Sequence, residues 1–227
     1  MKKIILVFLI SISLNGLSQE TTEQKLSSFE ELIIQGRFTV DIEYSSEMKA
    51  VAVEHSKEVD IENLSYTYSN KSLKIKYSGS LLDDVDLNIT LYIPSFKYLE
   101  ARNGTEIRVD KKFDFQNNNI GVKSVSGGKI AIHANTPRIN AEISKGGSIR
   151  LSGVTEHLKA EVKTGGTIGA ANLDAKKVDA KISFGGEIIC KASEELDAQV
   201  TSGGTISYEG EPKVKEKIRL GGTIEQL

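Results

Sequence analysis

Ser126-Gly127-Gly128-Lys129-Ile130-Ala131-Ile132 is the stretch whose reading decides the fold. Its glycine pair returns at Gly146-Gly147, Gly165-Gly166, Gly185-Gly186, Gly203-Gly204 and Gly221-Gly222. The intervals are 19, 19, 20, 18 and 18 residues. Two residues after each second glycine stands an isoleucine, at Ile130, Ile149, Ile168, Ile188, Ile206 and Ile224. A period of this length marks a repeat architecture.

Working outward from the pairs, other columns fall into place. Seven residues before each first glycine sit Ile120, Ile139, Leu158, Val178, Leu196 and Val214. Five before it sit Val122, Ala141, Ala160, Ala180, Ala198 and Glu216. Three before it sit Ser124, Ile143, Val162, Ile182, Val200 and Ile218. Four after the second glycine sit Ile132, Leu151, Ala170, Cys190, Tyr208 and Gln226. Polar residues fill the gaps, and a spacing of two puts the apolar set on one face of a strand. A coil of 18–20 residues is too short for two ordinary helices but long enough for short strands joined by corners. The columns therefore predict an all-β solenoid, a single-stranded parallel β-helix in which equivalent residues stack from coil to coil. A coil by itself cannot recover its ordering entropy, so the coils must cooperate. The glycines are expected at corners, where a β-carbon would be disfavoured. The alanine column predicts a narrow place inside the coil. Glu216 and Gln226 interrupt their columns in the last coil, as expected of a C-terminal cap that meets water.

Upstream, Gly104-Thr105 with Ile107 and Val109 reads as an early coil, and a loop around Phe113 to Asn119 absorbs the longer spacing to Gly127. Before it, Phe38, Val40 and Ile42 alternate with polar residues, and Val51 and Val53 do the same. Tyr66 and Tyr68 lead through Ser69-Asn70-Lys71-Ser72 to Leu73, Ile75 and Tyr77, which reads as a hairpin. Val85 to Ile93 alternates until Pro94 ends the ladder. At the start, Lys2-Lys3, the apolar run Ile4–Leu14, and small residues at Gly16 and Ser18 spell a signal peptide cut before Gln19. The run is too short for a membrane-spanning anchor, which needs about 20 apolar residues. The expected organisation is a signal peptide over 1–18 and a mobile lead-in over 19–28. An N-terminal β part over 29–103, either irregular coils or a separate cap, precedes regular coils over 104–227.

Composition narrows the function classes. With 29 basic and 31 acidic residues and no block of either, the chain has no electrostatic footprint for nucleic acid. Tryptophan is absent, which removes the usual aromatic platform for sugars. Cys190 is alone, so no intrachain disulfide forms, and its column makes it a small buried hydrophobe. Calcium binding of the β-roll type needs an aspartate at each turn. The position after each pair holds Lys129, Ser148, Thr167, Glu187, Thr205 or Thr223 instead. No P-loop spacing follows the glycines either. His133 and His157 stand at different distances from their glycine pairs, and His55 is elsewhere, so no metal cluster is expected. Glu142, Glu161 and Lys181 share one column, with Lys145 and Lys163 nearby. They form a solvated charge ladder or, alternatively, the carboxylate wall of a polysaccharide-active enzyme. The tripeptides at Asn70, Asn88 and Asn103 match the glycosylation pattern without deciding anything.

Phe29–Val40, Leu73-Lys74-Ile75, Leu91-Tyr92-Ile93-Pro94 with Leu99, and the serial Gly-Gly-x-Ile coils together resemble the exported bacterial family of autotransporter adhesins with a head GIN domain. The resemblance covers nearly all of the chain after the signal peptide. It implies a right-handed parallel β-helix, an envelope or secreted location and a role in adhesion. It brings no catalytic residues. The chain departs from a true autotransporter, since no C-terminal segment long enough for a membrane barrel follows the coils. The expected function is a non-enzymatic, exported adhesin that presents a repetitive polar face to a protein or glycan partner. It needs no cofactor or metal, and self-association through a flat face is compatible with it. The alternatives are a polysaccharide-active enzyme or carbohydrate-binding module, and an envelope scaffold or sensor. No binding residue is singled out.

Overall fold

A computed structural model describes residues 21–54, 61–79, 87–113, 115 and 118–227. The expected signal peptide, together with His55 and Val85, lies outside the described residues. The described residues are all-β apart from one short 3-10 turn at Ile61–Asn63, and form a β-solenoid of about seven turns with a less regular N-terminal sheet.

The strands are, in the N-terminal part, β1 (Thr21–Lys25), β2 (Glu31–Gln35), β3 (Thr39–Tyr44), β4 (Lys49–Glu54), β5 (Leu64–Ser69), β6 (Ser72–Tyr77) and β7 (Leu87–Ile93). There follow β8 (Tyr98–Arg102), β9 (Glu106–Val109) and β10 (Ile120–Val125). The body is built from β11 (Lys129–Ser144), β12 (Ser148–Thr164), β13 (Thr167–Phe184) and β14 (Glu187–Ser202), and β15 (Thr205–Glu209), β16 (Lys213–Leu220) and β17 (Thr223–Gln226) finish it. Each long strand of the body turns corners and serves two walls. Wall A stacks the strand before each glycine pair, with Ile120 opposite Ile139 and Val122 opposite Ala141. Wall B stacks the strand after it, with Ile107, Ile130, Ile149, Ile168, Ile188 and Ile206 in one row. All these pairings are parallel. Above the last coil, the rows named in the sequence are buried, including the alanines of their column and Cys190. Each buried aliphatic side chain contributes about 1.5–3 kcal/mol.

The inner surface has a third row, Thr136, Thr155, Ala175 and Ala192, which the column reading did not find. Its members are small, and its threonines settle their hydroxyls on backbone carbonyls, as Thr155 does on Pro137 at 3.3 Å. Ser124, polar in an apolar column, donates to the Gly128 carbonyl at 2.6 Å.

The two glycines of a pair do different work. At Gly185-Gly186 the backbone φ values are 63° and 107°. A β-carbon on Gly185 would meet nothing within 4 Å. One on Gly186 would stand 2.7 Å from the Gly166 carbonyl oxygen of the coil beneath. That carbonyl accepts the Glu187 N–H at 2.9 Å, so the second glycine is where successive corners touch.

The N-terminal part is both coil and cap. β2 and β3 form a coil lying between β6–β7 on one side and β8–β9 on the other. The chain thus lays down its second level first, builds the outermost level, then passes back to continue the stack. Antiparallel strands close the end. β5 covers β6 through the two-residue turn Asn70-Lys71, whose φ values of 48° and 64° suit a tight hairpin. β4 covers β7, and β1 covers β4.

Two expectations change here. The lead-in expected to be mobile contains β1, because the outer edge of β4 offers unpaired backbone groups that its polar sequence can satisfy without burying apolar area. In β4 the buried residues are Ala50 and Ala52 rather than Val51 and Val53. Leu91 and Ile89 stand opposite those alanines and fill the space a larger side chain would need. The loop expected at 113–119 carries no strand among its described residues. Its Phe113 and Phe115 turn inward and pack with Phe96 at 5.5 and 5.3 Å between ring centres. At the far end, Glu216 and Gln226 are exposed, as the cap reading requires, but so are Ile218 and Leu220.

Candidate functional site

Outward side chains of wall A stand in rows at the coil spacing, about 4.8 Å. One row reads Lys123, Glu142, Glu161, Lys181, Gln199 and Lys217. Glu142 accepts from Lys163 at 2.7 Å and lies 3.0 Å from Lys123. Glu161 faces Lys181 at 3.8 Å. The neighbouring row holds Asp197, which accepts from Lys215 at 2.9 Å and from Gln199 at 3.0 Å. Of the ladder residues named from the sequence, Glu142, Glu161, Lys163 and Lys181 meet as ion pairs, whereas Lys145 sits on a corner with a φ of 64°. The charges compensate one another within the wall.

This compensation sets the protonation states. Partial burial pushes the Glu142 carboxyl up, but its bonds to Lys163 and Lys123 outweigh that and hold it below the usual carboxylate range. Gln199 and Lys215 hold Asp197 low in the same way. A general acid for glycoside cleavage needs a carboxyl raised towards neutrality. These two are moved the other way. Exposed pairs of this kind contribute little, about 0–1 kcal/mol each.

The remaining residues considered from the sequence do not converge. His133 on wall B shares a hydrogen bond of 3.1 Å with Ser152 through Nδ1. His157 lies at the start of a wall A segment, 2.8 Å from Asp179. Cys190 is buried, and burial pushes its thiol up to about 12, so it is not a thiolate at neutral pH. No three of His, Cys, Asp and Glu come together among the described residues.

Wall B carries a different feature. Its central outward row reads Arg108, Ala131, Arg150, Gly169 and Ile189. The row beside it includes His133, Ser152 and Asn172. Where Ala131 and Gly169 withdraw from the surface, a groove of about 660 Å³ opens across the coils. Lys111 and Arg108 stand at one end and Ile189 at the other. No aspartate or glutamate lines it among the described residues. One side is raised by a bulge in β13. There Arg150 and Ser152 pair with Gly169 and Asn172, so two residues of β13 oppose Leu151 alone. The sequence reading missed this groove. Its signals were the single long interval of 20 residues, from Gly165 to Gly185, and a lone glycine away from any corner, at 169.

No helix among the described residues is long and apolar enough to cross a membrane. A family model described as putative auto-transporter adhesin, head GIN domain, matches residues 28–212. Comparison with curated proteins returns no match. Among solved structures, a putative adhesin from Bacteroides fragilis is similar, with a TM-score of 0.81 at 20% identity, over 93% of this chain and 98% of that one. A putative adhesin from Parabacteroides merdae gives a TM-score of 0.68 at 18% identity, over 94% and 97%. A structure described as a putative lipid binding protein from Parabacteroides distasonis gives 0.69 at 20%, over 94% and 98%.

Proposed function

The chain belongs to the family of putative auto-transporter adhesins with a head GIN domain, and from that premise we propose that it is an exported, non-catalytic binding protein that holds the side walls of its solenoid out to a partner in the cell envelope or beyond it. The observation that carries this reading is the unbroken stacking of outward rows. Side chains on walls A and B are fixed at one coil spacing over successive levels, from Arg108 to Ile189 on one and from Lys123 to Lys217 on the other. Such a surface is already ordered before a partner arrives, which lowers the entropic cost of binding. The paired carboxylates of wall A suit a solvated contact face better than acid–base chemistry. An adhesion role also agrees with the names given to the family and to two of the similar structures.

The test is to screen the purified protein on a broad array of glycans and matrix proteins, with product release assayed alongside. Binding without turnover supports the reading. Release of shortened glycans would overturn it in favour of an enzyme, and absence of any binding would leave a scaffold.

A further inference from the structure

Gly169 has no conformational reason to be glycine. Its φ is not in the left-handed region, and a β-carbon there would meet nothing within 4 Å. It lies inside a strand, where glycine weakens pairing and where a missing side chain often marks the close approach of a ligand. Every corner glycine discussed above is accounted for by backbone geometry, and this one is not. Its effect is to leave open the groove floor between Arg150 and Ile189.

Arg150 is the second observation. It is exposed on the groove rim with Ala131 and Gly169 as row neighbours, and it has no hydrogen-bond or ion-pair partner among the described residues. Lys111, at the groove end, is likewise unpaired among them. Arg108 differs, because Glu106 at 2.6 Å fixes its guanidinium and Asp41 stands 4.0 Å away. On wall A, Lys123, Lys163, Lys181 and Lys215 are matched by carboxylates. On wall B, cations are left facing a groove without a carboxylate in its lining. Unmatched positive charge in a concave site attracts an anion.

Resting on the binding reading above, we propose that the wall B groove is the binding site of an acidic glycan strand bearing carboxylate or sulfate groups. Arg150 takes one acidic group, and Lys111, just past the end of β9, takes another about two coil steps away, about 10 Å along the stack. The floor of Ala131 and Gly169 admits a sugar ring, and Ser152, Asn172 and His133 are placed for hydroxyl groups. An extended acidic peptide fits less well. Such a peptide gains its affinity from main-chain bonds to a sheet edge, and here the groove crosses the middle of a paired wall, with β9, β11, β12 and β13 already joined.

The experiment is titration of the full chain with a galacturonate hexamer, a heparin hexasaccharide, a neutral galactose hexamer and hexaglutamate. Three proteins are compared, the wild type, Arg150→Ala and Gly169→Ile. The β-branched residue suits the strand and matches Ile189 in the next coil, so Gly169→Ile should unfold at the wild-type temperature or above it. One or both acidic glycans should bind the wild type, more weakly as salt rises, and at least tenfold more weakly to Arg150→Ala and to folded Gly169→Ile. The neutral hexamer should not bind. Unchanged affinity in folded Gly169→Ile would overturn the site. Equal or tighter binding of hexaglutamate would overturn the ligand class in favour of an acidic peptide. If neither acidic glycan binds while the array finds another ligand, the groove assignment fails and the binding reading stands. No ligand on either test removes both.

Discussion

Between Ile120 and Glu209 a residue's partners within that span lie 17 to 20 positions away in sequence, and every pairing is parallel. Between Thr21 and Val109 the order is different. β2 lies against β6 and β8 rather than against its successors, and three of the pairings are antiparallel. The same walls run through both regions, and the same kind of aliphatic row fills them. What differs is whether the order of stacking follows the order of the chain. Where it does, each coil repeats the environment of the last, so the sequence repeats too. Where the chain doubles back, each level meets different neighbours and the period is lost.

The junction between the two regions is where the largest effect is expected. Phe115 is fully buried and packs against Phe96 and stacks on Phe113. Phe115→Ala should cost about 3–5 kcal/mol, seen as a lower urea midpoint. A second, separate unfolding step would show that the N-terminal levels and the body have come uncoupled. An unchanged midpoint would mean that the aromatic plug does not join them.

Within the body, the corner should respond asymmetrically. Gly186→Ala puts a β-carbon 2.7 Å from the Gly166 carbonyl oxygen and should cost about 3 kcal/mol, at the upper end for strained backbone. Gly185→Ala has open space and a φ of 63°, so only the left-handed penalty of about 1–2 kcal/mol applies. Equal losses in chemical denaturation would refute the division of labour between the two glycines. The hairpin turn in the N-terminal part supplies a control. Asn70→Gly, at a φ of 48°, should be neutral or stabilise by a few tenths of a kcal/mol.

The smallest effect concerns the ladder. Glu142→Gln should cost about 0.5 kcal/mol at neutral pH. Its folded carboxyl is held below its ordinary value by Lys163 and Lys123 after burial has pushed it up. The stabilisation is therefore present above the unfolded glutamate pKa of about 4.3 and is lost as pH falls through the lower folded value. Thermal melts from pH 7 down to pH 3 should show the variant and the wild type converging in acid. A constant gap would mean that the carboxyl does not titrate as the geometry requires.

Periodicity was legible because it reports packing between identical levels. The glycine pairs, the isoleucine row and the alanine column all took the places expected of them, and Ile107 aligned with Ile130 as an early coil. The hairpin at Asn70-Lys71 was legible from turn chemistry. The third inner row was not, because Thr136, Thr155, Ala175 and Ala192 mix polar and apolar types while facing the same interior. In β4 the larger valines misled, since size opposite Leu91 and Ile89 mattered more than hydrophobicity.

By itself the sequence determined the coil, its period and its buried columns, because each of these depends on contacts that recur at a fixed separation along the chain. The tertiary structure decided the rest. It put β2–β3 between levels that come later in the chain. It made the second glycine of each pair the point of contact between corners. It also showed that Lys123, Lys163 and Lys215 of wall A meet carboxylates while Arg150 faces an open groove. Charge pairing and concavity depend on which side chains meet across several coils, and a column of letters does not carry that information.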